Sequence, residues 1–92
     1  MIATNRTYVD PDWNRGAVSY ALRENWHRYY LKYGAKPSYV LASNNMGNFF
    51  PFILCYFAIR HNLVIKFVPN DGHKPFFYFS DSYDKGGETN AP

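Results

Sequence analysis

Between residues 13 and 33 the apolar positions Val18, Leu22, Trp26, Tyr29 and Tyr33 recur at spacings of 4, 4, 3 and 4. That rhythm lays them on one stripe of a helix. Asp12 or Asn14 is placed to cap its start, and Gly34 to close it in a left-handed conformation. The pattern then changes period. Ser38 to Ser43 and Leu63 to Val68 are short apolar runs rich in β-branched or aromatic residues, and both read as strands. Between them Phe49 to Ile59 is apolar on every side, which predicts a helix running to about His61 and covered nearly all round. Asn48 is placed to cap it, and Pro51 is tolerated in a first turn.

Asn70-Asp71-Gly72 carries turn chemistry, so Phe76 to Ser80 reads as a further strand returning beside Leu63 to Val68 as a hairpin. A short edge strand fits Thr7 to Val9, ahead of the turn at Asp10-Pro11. The 19 residues from 44 to 62 are long enough for a parallel crossover between two strands. The expected fold class is α/β, bordering on α+β: a single small domain over residues 1–80 in the order α-β-α-β-β. Its sheet is mixed, with three to four strands and two helices, and residues 81–92 form a polar tail with little to bury.

Composition changes the picture in one respect. Nine Tyr, eight Phe and two Trp in 92 residues are more rings than one small core readily encloses. Tyr8, Trp13, Tyr20, Tyr30, Tyr39, Tyr56, Tyr78 and Tyr83 cannot all be central. Alternation along Phe76-Phe77-Tyr78-Phe79 turns some rings away from whichever face the helices cover. Phe76, Tyr78 and Tyr39 are therefore candidates for a homodimer interface, through the last strand or a sheet face.

Charge adds an asymmetry. From 15 to 66 there are seven Lys and Arg against Glu24 alone, whereas residues 67–92 hold two Lys against four acids. Arg15, Tyr20, Arg23, His27, Arg28, Lys32 and Lys36 form a candidate surface for an acidic protein or for nucleic acid, against the plainer alternative of a solvated face. Glu24 and Arg28 already have the spacing of a helical ion pair.

Catalytic chemistry finds no footing. His27, His61 and His73 fall on separate elements without metal-ligand spacing, and no cofactor motif is present. Cys55, the single cysteine, sits among Leu54, Tyr56 and Phe57, where burial is expected to keep its thiol inert; no intramolecular disulfide is possible. The loop Ser43, Asn44, Asn45, Met46, Gly47, Asn48 follows a strand and precedes a helix, a place where anions gather, but it lacks the phosphate-loop Lys and glycines. Neither a membrane span nor a secretory segment is legible, so a cytoplasmic chain is expected. The leading expectation is a small non-enzymatic protein-binding module, of the inhibitor or accessory kind found on phages and other mobile elements. Nucleic-acid binding through the first helix is the alternative, and an anion-binding domain or enzyme using the 43–48 loop the second.

Overall fold

The computed structural model describes residues 6–47, 49–72 and 74–82. Six elements follow in the order β1 (Thr7–Tyr8), α1 (Arg15–Tyr33), β2 (Tyr39–Ser43), α2 (Phe50–His61), β3 (Val64–Val68) and β4 (Phe76–Ser80). Asn14 starts α1 by accepting the Ala17 N–H at 2.8 Å, and Gly34 ends it at φ 71°. Asn62 ends α2 in the same left-handed region, at φ 58°. Pro51 occupies the first turn of α2; Asn48, the expected cap, lies outside the described residues, as do His73 and residues 83–92.

The sheet is mixed, in the order β1-β4-β2-β3. β2 and β3 are parallel and joined by α2, as the long connection predicts. The expected hairpin is not formed. β4 passes beyond β3 and pairs antiparallel with β2, placing Leu41 opposite Tyr78, while its other edge takes β1, with Tyr8 opposite Phe76. The turn itself is there, with Asp71 at φ 51° and Gly72 at φ 80°, but it leads the chain across the end of β2. Burial explains the choice. Phe76 and Phe77 point to opposite faces and are both 0% exposed, a demand that only an interior strand meets. β3, interrupted by the half-buried Lys66, is better suited to an edge.

Both helices lie on one face of the sheet. Val18, Ala21 and Leu22 of α1 and Phe50, Leu54, Phe57 and Ala58 of α2 close over Val40, Ala42 and Phe77. The Phe50 and Phe77 rings are 5.9 Å apart, and Phe57 and Phe79 6.1 Å. A polar clasp ties β1 to α1: Thr7 Oγ1 donates to Asn25 Oδ1 at 2.8 Å, and Asn25 Nδ2 donates to the Ala21 carbonyl at 2.7 Å. The opposite face carries a second, smaller cluster of Leu41, Val68 and Phe76, flanked by Tyr39 and Tyr78. This is one small α+β domain of two layers.

Two layers leave α2 half uncovered, which corrects the expectation of a sheathed helix. Its positions 50, 54, 57 and 58 are buried, while Phe52, Cys55, Tyr56 and Ile59 on the opposite side face outward. Burial of Cys55 is overturned with it: the thiol is exposed.

Candidate functional site

Three surfaces compete, and the structure sorts them by what each side chain already does. On the 43–48 loop, Ser43 is 0% exposed and its Oγ accepts the Phe76 N–H at 3.0 Å, just beyond the last paired residues of β2 and β4. It is a strand staple, not a ligand group. Asn44 extends the parallel ladder through its N–H to the Val68 carbonyl at 2.9 Å, and its side chain and that of Asn45 are exposed. Met46 and Gly47 instead border a cleft of about 650 Å³ with Tyr8, Trp13, Phe49 and Lys74. The cleft lies between the segment after β1, the start of α2 and the approach to β4.

The basic surface on α1 is dispersed. Tyr20, Arg23 and His27 share its outermost line and are exposed. Arg28 turns to Glu24, with 3.3 Å between Nη2 and Oε2. The Arg15 guanidinium lies 6.0 Å from the Phe49 ring centre, and the Lys32 ammonium 5.4 Å from that of Tyr33. Lys36 follows the helix end. The structure therefore brings Tyr20, Arg23 and His27 together but does not string the seven residues into one track.

The residues expected at a dimer interface, Phe76, Tyr39 and Tyr78, share the sheet face opposite the helices. Phe76 belongs to an interior strand and is wholly buried, with the Arg6 guanidinium 4.2 Å from its ring centre and Tyr8 edge-on at 6.0 Å. Tyr39 and Tyr78 are half-buried on the same face. An interior strand offers no edge to a partner, so of the two expected dimer routes the sheet face is the one that is left.

No protein-family model, curated protein or solved structure matches this chain. Function has to be read from the surface itself.

The third surface is the outer side of α2, which sequence reasoning missed. Phe52, Tyr56 and Ile59 follow one another at i, i+4 and i+7 and are 78%, 63% and 77% exposed. Cys55 sits among them, and Phe67 on β3, in register with Ala42 on the helix side of the sheet, is about half exposed. Arg60 is the adjoining charge, its guanidinium 5.7 Å from the Tyr56 ring centre and its Nη1 donating to the Tyr56 hydroxyl at 3.4 Å. α1 lies alongside, with the Trp26 and His61 ring centres 5.0 Å apart. The signal was available. One sheet and two helices supply cover for a single face of each helix, so a helix apolar on all sides has to leave one side bare.

His61 is packed between Trp26 and the Phe57 ring, 4.2 Å from the latter. Its pKa is lowered, first by burial, then by the neighbouring charges of Arg60 and Lys36. The Tyr29 pKa is raised, mainly by burial, with Asp81 and Tyr33 adding to it. Among the described residues no group of three or more His, Cys, Asp or Glu is placed to hold a metal, and no helix is long and apolar enough to cross a membrane.

Proposed function

We propose that this chain is a non-catalytic protein-binding module that receives its partner on the outer surface of the helix layer, with the α2 stripe as the contact centre. The observation that carries this reading is the alignment of Phe52, Tyr56 and Ile59, each more than 60% exposed, along one side of a single helix. Together they present on the order of 400 Å² of apolar surface, within the range that marks functional patches on monomers. At about 25 cal/mol per Å² this is worth roughly 10 kcal/mol gross. Association itself costs about 4–15 kcal/mol, so the stripe supports binding only if the partner brings comparable apolar area and the flanks add complementarity.

Those flanks set the partner's chemistry. Arg60 adjoins the stripe, and Arg23, His27 and Arg28 stand on the neighbouring helix against Glu24 alone. The fitting occupant is a protein segment with an apolar ridge bordered by acidic residues. A second copy of this chain brings like charge to the same flank.

Cys55 gives a native handle, being the single cysteine, exposed and inside the stripe. A benzophenone maleimide attached there should photo-crosslink a partner in host lysate through an apolar segment with Asp or Glu nearby, mapped by mass spectrometry. Phe52→Asp should abolish the adduct, and Arg23→Glu should reduce it. An adduct insensitive to Phe52→Asp, or one mapped to a basic segment, refutes the reading; so does labelling no different from a probe at Ser19→Cys combined with Cys55→Ser.

A further inference from the structure

We infer that the cleft beside Trp13 is a second, separate binding site, for a small planar aromatic molecule carrying an anionic group. None of the stripe residues Phe52, Tyr56, Ile59 or Phe67 lines it, so the inference does not depend on the proposed protein contact. Three observations converge on the ligand's chemistry.

The first is size: about 650 Å³ lies in the middle of the 300–1,000 Å³ typical of small-molecule sites, and the cleft is open to solvent on one side. The second is the wall. Trp13 and Phe49 are half-buried and pack their inner sides on the core, leaving ring surface to the cleft, and Met46 adds a polarizable thioether. Such a lining favours a flat, conjugated body over a flexible aliphatic one.

The third is charge. Asp10 and Lys74 both line the cleft, on neighbouring segments joined by the Val9 N–H donating to the Pro75 carbonyl at 2.7 Å. The Asp10 carboxylate is turned back into its own loop, accepting the Asp12 N–H at 2.9 Å, while the Asp10 carbonyl accepts the Trp13 N–H at 3.0 Å. The Glu24–Arg28 ion pair involves neither Lys74 nor Asp10. The first turn of α2, which borders the same cleft, carries no acidic side chain, so its partial positive charge adds to that of Lys74. A carboxylate or sulfonate on the aromatic body meets both.

The protein has two tryptophans, and only Trp13 lines the cleft; Trp26 lies against His61. Titrating 2-naphthoate into 15N-labelled protein should therefore shift one indole N–H signal and leave the other in place, with Trp13→Phe identifying which. 2-Naphthylmethylamine should bind distinctly less well. Lys74→Glu, at an exposed position, should weaken naphthoate by about tenfold and reverse the preference, while Lys74→Arg should retain it. The inference is overturned if naphthoate shifts neither indole or only that of Trp26, if acid and amine bind alike, or if Lys74→Glu leaves the order unchanged.

Discussion

Leu54 and Ile59 lie on the same helix, are similar in size, and should respond very unequally to truncation. Leu54 is 0% exposed, enclosed by both helices and the sheet, whereas Ile59 is 77% exposed. Leu54→Ala removes buried methyl groups and leaves a cavity, at about 2–5 kcal/mol. Full burial of an isoleucine is worth roughly 1.5–3 kcal/mol, and about a quarter of that, some 0.4–0.7 kcal/mol, is all Ile59 has to lose. Alanine is the better helix former by several tenths of a kcal/mol, so the net effect of Ile59→Ala should be near zero. A 92-residue domain has about 5–14 kcal/mol in total, enough for Leu54→Ala to stay folded for measurement. Urea denaturation followed by circular dichroism at 25 °C reads both variants. The reasoning is refuted if Ile59→Ala costs more than about 1.5 kcal/mol at low protein concentration. A cost that appears only as concentration rises would instead place a second copy on the α2 stripe, contrary to the charge argument for an acidic partner.

Two further outcomes follow from buried polar chemistry. Ser43→Ala should cost about 1–3 kcal/mol in the same assay, because the Phe76 N–H is left in the core without its acceptor; hydrogen exchange at that amide should quicken, and an unchanged rate would show the bond to be dispensable. The lowered pKa of His61 means that, between the folded value and 6.5, the unfolded chain binds more protons, so stability is fully present above 6.5 and erodes as pH falls through that window. The loss in urea midpoint from pH 7.5 to pH 5 should accordingly be smaller in His61→Gln than in the parent, and equal losses would contradict the assignment.

The elements themselves were legible because each rests on local chemistry. The 3.6-residue rhythm around Val18 and Leu22, the capping oxygen of Asn14, the left-handed positions of Gly34 and Asn62 and the β-branched run of β3 all act within a few residues. What failed was pairing and cover, which depend on the whole domain. Asp71 and Gly72 make a real turn, yet a turn reports only that the chain reverses; the two-sided burial of Phe76 and Phe77 decides which strand it joins. Likewise the apolar content of Phe49 to Ile59 says nothing of how many elements exist to cover it. The role of Ser43 was invisible because its partner lies 33 residues later. Of the candidate sites, the 43–48 loop marked the right neighbourhood, contributing Met46 and Gly47 to the cleft, but the walls at Trp13 and Phe49 and the cation at Lys74 are assembled only by the fold.

The interposition of β4 also bears on how this domain comes into being. Among the described residues β1 has β4 as its only hydrogen-bonded neighbour, so the first described strand waits for the last before it can pair. As the nascent chain emerges, residues up to Val68 can assemble the β2-α2-β3 unit, but β1 then stands apart, tethered to it through α1. Completion is an insertion event between two waiting strands, a non-local step of the kind that slows folding. A translational pause or a chaperone grip acting before Phe76 is made would hold β1 and β2 with the place between them empty.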